Sequence, residues 1–448
     1  MNRIRRLLGA VSASVLMLGG MVGMAGPAGA AHVQCGEVIT ASVTLDSDVG
    51  PCPDFGLHVA ASGITVNLNG HRVFGANGPE ETAGIHLMNV SGVTVTNGVV
   101  EGFDAGVAVD GGRGNTIENL VVRNNINDLS TTEEEPCIYG DGITTNGSDN
   151  NRIVSNQAFN NGPYSGISLV GDSDGNLVQG NLVQDNNVSN ILPNGDEGPC
   201  GPFLASGPGP GRPHQDIGIR IEGPGANNNR VEANTVRHNQ LNGITVHGHV
   251  CNPPPPPDGM PPRPPQDPNT NNTISANIVE RNGTPDTGAS PTEPTDGISL
   301  LRQGPLTVVC VAFNNTIEGN TSVLNGRHGV FLGAPTKNNT VNRNVVNSNT
   351  GDGIRVSGRP VQNGQPVIDP TTGQPFPGAV DNLLFQNQGA GNVEHDGHDD
   401  NPDCDNNRWK NNKFATVNQP CAADKGGKGS VGRGDGANDG WGVSNHPR

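Results

Sequence analysis

Short apolar stretches recur along the chain with one grammar. After a glycine, two apolar residues flank a single variable one. The pairs are Ile85/Leu87, Val107/Val109, Ile143/Thr145, Ile167/Leu169, Ile219/Ile221, Ile244/Val246, Ile298/Leu300, Val330/Leu332 and Ile354/Val356. Only Thr145 departs from the apolar rule. Alternation at period two places each pair on one face of a strand and the residue between them on the other. Two asparagine columns hold the register. The first is Asn156, Asn181, Asn234, Asn277, Asn320, Asn344 and Asn387. The second lies five residues further on at Asn161, Asn186, Asn239, Asn282, Asn325, Asn349 and Asn392. A unit of about 24 residues, with insertions in some copies, explains the spacing. Helical repeats would need amphipathic runs at a 3.6-residue period, and the chain has none.

Three short strands per unit, each paired with its copy in the next unit, predict an all-β solenoid. It should have about ten coils rising about 4.8 Å each. Stacked Asn amides can bond to the copies above and below, so the columns read as structural. The Asn-x-Thr sites they create, such as Asn271-Asn272-Thr273, read as by-products rather than glycosylation signals.

The repeated units NNRVEANTVRHNQLNGITV (228–246), NNTIEGNTSVLNGRHGVFL (314–332) and NNTVNRNVVNSNTGDGIRV (338–356) resemble those of the right-handed parallel β-helix superfamily. That superfamily includes pectate-lyase-like proteins and NosD-like secreted carbohydrate-binding proteins. The resemblance spans roughly residues 60–420. It implies a single-stranded right-handed parallel β-helix and leaves the activity open, because the fold hosts lyases, hydrolases, epimerases, adhesins and accessory proteins.

Residues 1–30 read as a secretion signal, with Arg3, Arg5 and Arg6 before the apolar run from Leu7 to Val22 and Ala28-Gly29-Ala30 at the cleavage point. The run is short and contains glycine, so no membrane span is expected. Residues 31–63 read as an amino-terminal cap, 64–424 as the β-helix with its carboxy-terminal cap, and 425–448 as a disordered Gly-rich tail. Eight Cys in a secreted chain predict disulfides. Position favours Cys35–Cys52 and Cys404–Cys421 at the two ends, where exposed strand edges need capping. It favours Cys137–Cys200 and Cys251–Cys310 between insertions.

The net charge is −17, and more negative still once the three signal arginines are removed. Such a surface disfavours nucleic acid and anionic membranes as partners. It meets an acidic polysaccharide only with calcium between them, so Ca2+ is the cofactor to expect if there is one. Aromatic residues make up 3% of the chain, which weighs against sugar-stacking platforms. Trp409 and Trp441 both fall near the end.

Insertions at about 126–140, 188–215, 251–270, 283–295 and 358–380 all flank the strand after the glycine. That sheet should therefore form the floor of a walled groove. Its outward positions supply a candidate catalytic set, Arg220, Glu222 and His247, and candidate substrate contacts at Thr245, Ser299, Arg355 and His86. A basic residue beside a carboxylate is what a lyase or epimerase needs to take a proton next to a uronate carboxyl, and a glycoside hydrolase is also compatible. The competing reading is that outward residues of a solvated sheet are polar by default. The polygalacturonase and mannuronan-epimerase motifs are absent. A second candidate is metal binding at Asp396, His398, Asp399 and Asp400, since carboxylates suit calcium and His with Asp suits a transition metal. Its competitor is a solvated acidic loop. Three functions remain open: a secreted monomer of the cell envelope or exterior that binds or processes polysaccharide, a non-catalytic structural or adhesive rod, and a metal-handling accessory protein.

Overall fold

The computed structural model describes residues 30–76, 82–126, 140–162, 164–186, 217–223, 225–248, 268–287, 289, 295–302, 312–369, 372–423 and 430–431. The expected signal, most of the tail, and Cys137, Cys200, Cys251 and Cys310 lie outside them.

Each coil contributes three strands. In one coil these are Ile217–Glu222, Arg230–Glu232 and Thr235–Arg237. The first pairs in parallel with Ser165–Val170 on one side and Ile244–Gly248 on the other. Repeating this makes a 14-stranded parallel sheet. The second and third strands stack into two parallel runs that belong to one 23-stranded sheet. The result is a parallel β-helix, and strands from Ala83–Met88 to Gly397–Asp399 supply the roughly ten coils expected. The ladder continues into the segment expected to cap it, because Glu37–Ile39 pairs with Leu57–Val59 and that strand with Ile85–Leu87.

The core is one side chain thick from each wall. The glycine-following strand turns Ile219 and Ile221 inward, and the short strands turn in their middle residues, Val231 and Val236. Glycine precedes each such strand because the walls meet there. A Cβ at Gly218 would stand 2.4 Å from Val236 Cγ1 and 2.6 Å from the Gly243 carbonyl.

Asparagine closes the corners. Asn234 Nδ2 donates to the Val178 carbonyl, while its Oδ1 accepts from both the backbone N–H and the side-chain amide of Asn181. The residue before it, Ala233, turns the chain with a left-handed φ of 56°. Along this column the sequence separations are 25, 53, 43, 43, 24, 43 and 25 residues, yet every amide–amide bond is 2.9–3.1 Å long. Insertions thus leave the corners untouched. A third ladder, unforeseen from the sequence, runs through Asn151, Asn176, Asn229, Asn272, Asn315, Asn339, Asn382 and Asn407.

Both terminal disulfides form, Cys35–Cys52 and Cys404–Cys421. Covalent capping of this kind suits an oxidising compartment. No helix among the described residues is long and apolar enough to cross a membrane.

Candidate functional site

Parallel pairing turns the outward positions of the 14-stranded sheet into a single row. It reads His58, His86, Ala108, Thr144, Ser168, Arg220, Thr245, Ser299, Phe331, Arg355, His398. Every substrate residue expected from sequence stands in this row, and His398 extends it. The row is not uniformly open. Ser168, Arg220, Thr245 and Ser299 are fully buried, whereas Phe331 is half-buried and the Arg355 and His398 side chains keep 13% and 14% of their surface.

The expected catalytic residues form one buried cluster. Arg220 Nη1 lies 2.5 Å from Glu222 Oε2, and its guanidinium sits 4.0 Å over the Tyr164 ring. Tyr164 Oη donates to the same carboxylate oxygen at 2.6 Å, and His247 Nδ1 stands 3.5 Å from it. Burial alone would raise the Glu222 carboxyl, but the Arg220 charge and His247 outweigh it and hold the group well below the usual range. Asp141 belongs to the same environment, with Ser165 Oγ donating to it. There burial wins, and the Asp141 carboxyl is pushed up to about 7. Two carboxyls thus diverge, one ionised throughout the neutral range and one that exchanges its proton within it. Thr245 and Ser299 pair with each other at 3.0 Å. At the far end His86 Nε2 meets Asp110 at 2.7 Å, near His58 and Phe55.

A second cluster occupies the open end. Asp352 is fully buried at its centre. His398 Nδ1 lies 3.1 Å and His395 Nδ1 3.3 Å from Asp352 Oδ1, and the His395 backbone N–H donates to that oxygen at 3.0 Å. His398 Nε2 is 2.8 Å from Asp400 Oδ1. Arg355 bridges outward to Asp400 at 3.1 Å and to Glu394 at 3.6 Å. Burial alone would lower the His398 imidazole, yet Asp352 and Asp400 at its two nitrogens raise it to about 9. His328 is pushed down to about 3, by burial first and then by the Arg327 charge. That arginine grips Asp296 with two bonds of 2.8 and 2.6 Å.

The four expected metal ligands separate. His398 and Asp400 face the cluster just described. Asp396 turns inward and accepts from Asn392 Nδ2 and from the Ala415 and Thr416 amides. Asp399 also turns inward, accepting from Asn401, Asn407 and Trp409 Nε1. Those two carboxylates close the carboxy-terminal coils.

Sequence reasoning overlooked the residue just before each glycine. In the fold Asp141, Asp296, His328 and Asp352 occupy that position; of these, His328 stacks on Phe331 in the outward row and Asp352 meets His398 there. The signal was present as the recurring Asp-Gly-Ile at 141–143, 296–298 and 352–354.

With this topology the chain is a right-handed parallel β-helix protein. Residues 40–198 match the family model described as periplasmic copper-binding protein (NosD). No curated protein sequence matches the chain. Among solved structures it is similar to a mutant of the periplasmic alginate epimerase AlgG, with TM-score 0.49 and 13% identity over 84% of this chain and 77% of that one. It is similar also to an alginate lyase from Paenibacillus sp. str. FPU-7, with TM-score 0.40 and 15% identity over 70% and 86% of the two chains. A third is the catalytic domain of a GH87 alpha-1,3-glucanase in complex with tetrasaccharides, with TM-score 0.45 and 15% identity over 81% and 60%. At these scores none of the three informs the chemistry of this chain.

Proposed function

We propose that the protein is a secreted glycan-binding β-helix that holds a polysaccharide where the outward row opens, at Phe331, Arg355 and His398. The observation that carries this reading is the run of half-buried aromatic and cationic side chains on adjacent coils, each reaching solvent where the preceding coils do not. The Phe331 ring is held in place by His328, stacked at 5.5 Å, and by the Arg327 guanidinium 4.8 Å from its centroid. Arg355 follows one coil later and His398 the next. Partly buried aromatic surface beside fixed cationic donors is equipment that grips a sugar and its hydroxyl or carboxylate groups.

Processing is the second arm of the reading. It assigns Glu222 as the ionised carboxylate, Asp141 as the one that exchanges a proton, and Arg220 and His247 as the groups that hold them so. Divergent carboxyls of this kind divide the labour of glycosidic cleavage. Arg220 is only 1% exposed, so turnover through this cluster requires the cover over it to open. Calcium finds little support as a bridge. It takes oxygen ligands, and two imidazoles stand at Asp352. A metal-handling role is a second reading favoured by those imidazoles.

The test is a panel of uronate-bearing and neutral polysaccharides, scored for binding, for absorbance of unsaturated products and for new reducing ends. Phe331→Ala and Arg355→Ala should weaken binding tenfold or more. Arg230→Ala, on the opposite wall and paired there with Glu232, should leave it unchanged. Absence of binding across the panel, or equal behaviour of all three variants, would return the protein to the structural-rod reading.

A further inference from the structure

We infer that Asp352, His395 and His398 form a binding site for one divalent transition-metal ion. The inference deepens the metal-handling reading, and it shares His398 with the glycan reading.

One donor atom from each of the three residues lies within 4.8 Å of the other two. A tetrahedral ion with bonds of about 2.1 Å sets its ligand atoms about 3.4 Å apart. The two imidazole nitrogens stand 3.1 and 3.3 Å from the shared Asp352 oxygen, already near that spacing. The rings meet edge to face at 88°, so the two lone pairs approach from different directions.

Hydrogen bonding accounts for only part of this cluster. His398 Nδ1 bonds to Asp352 Oδ1, but His395 Nδ1 is buried and makes no hydrogen bond, and the buried Asp352 Oδ2 has the Arg355 guanidinium at 3.6 Å and His328 Nδ1 at 3.4 Å beside it. The His395 side chain is 8% exposed and that of Asp352 0%. Polar atoms so deeply buried are ordinarily satisfied, and leaving them bare is costly. A cation bound between the two imidazoles and Asp352 Oδ1 would satisfy His395 Nδ1. Partners outside the donor set are also in place. Asp400 at His398 Nε2 orients that ring with Nδ1 toward Asp352, as a carboxylate behind a metal-bound histidine does. The His395 backbone N–H pins the Asp352 carboxylate. His328 is not a ligand through Nδ1, because that atom accepts the Asp352 backbone N–H at 2.9 Å.

Two imidazoles and one carboxylate select a first-row transition metal such as zinc or copper over calcium or magnesium. Three protein ligands leave a coordination position for water or substrate. The donors come from adjacent coils, Asp352 and His395 being 43 residues apart, so only the stacked register assembles them.

The experiment titrates chelator-stripped full-length protein with Zn2+ or Cu2+ alone by calorimetry, with electron paramagnetic resonance of the copper form. Wild type should take up one ion per chain, show nitrogen coupling from imidazole, and resist competition by excess Ca2+. His395→Ala and His398→Ala should each weaken binding about 100-fold or more and reduce the nitrogen coupling, and Asp400→Asn about tenfold. His32→Ala, at an exposed residue of the amino-terminal end, should bind as wild type does. Melting each variant separates loss of the site from loss of the fold, and Asp400→Asn, at an exposed residue, reports on the site even if a histidine variant misfolds. No stoichiometric uptake by wild type, or wild-type affinity in His398→Ala, overturns the inference. Glycan affinity measured on the same metal-free samples separates that failure from a failure of the glycan reading.

Discussion

Asp141 and Glu222 share a buried pocket and are driven in opposite directions. Glu222 has the Arg220 charge at 2.5 Å, while Asp141 has hydroxyl partners and a weaker share of that charge. The consequence is measurable. The Asp141 carboxyl rises from 3.8 to about 7 on folding. Between these values the folded chain keeps a proton that the unfolded chain has released, so stability falls as pH rises through this window and the effect levels off above it. The loss attributable to Asp141 is on the order of 4 kcal/mol. Asn mimics the protonated acid, so Asp141→Asn should flatten the slope. Urea melts of both proteins at several pH values from 4 to 8 would test it, and parallel slopes would remove Asp141 from the account.

At the scale of the element, corner asparagines matter more than the strands they join. A strand such as Arg230–Glu232 offers one buried side chain. Asn234 satisfies a carbonyl on one coil and an amide on its neighbour, both away from water. Replacing it with Ala leaves Val178 O and Asn181 N–H unpaired, at a cost of about 3 kcal/mol. The exposed Arg230→Ala, by contrast, should change stability by about 0.5 kcal/mol or less. Thermal melts should rank the two variants in that order. A melting temperature for Asn234→Ala equal to that of Arg230→Ala would show that water replaces the amide, and the ladder would lose its stabilising role.

Across the whole molecule, each coil is supported only by its neighbours, and the ends are where unpaired edges remain. Cys404–Cys421 spans 17 residues, and a loop of that size contributes about 3 kcal/mol when closed. Its removal by a Cys404→Ala, Cys421→Ala double variant should loosen the last coils first. Hydrogen exchange should rise at Arg408–Lys410 and Lys413–Phe414, where Trp409 ends the column of Leu384, while Ile219–Ile221 stay protected. Uniform acceleration along the chain would mean that the stack opens as one cooperative unit instead.

The sequence by itself determined the coil. Its Gly-Ile phase and Asn spacing are local, repeated, and decided by which side chains avoid water, so strand faces, register and the terminal disulfides are all legible from it. The same phase placed Arg220, Thr245, Ser299 and Arg355 in one row. Only the tertiary structure decided which part of the row meets solvent. Burial depends on what packs over a residue, and Tyr164 covers Arg220 from 56 residues away. It also decided which acidic residues face the groove. Asp396 and His398 are two positions apart, yet the turn before Gly397 sends the first to cap the Ala415 and Thr416 amides and leaves the second beside Asp352. Proximity along a chain is set by spacing, but a ligand set is made by stacking, and Asp352 reaches His395 only because one coil lies on the next.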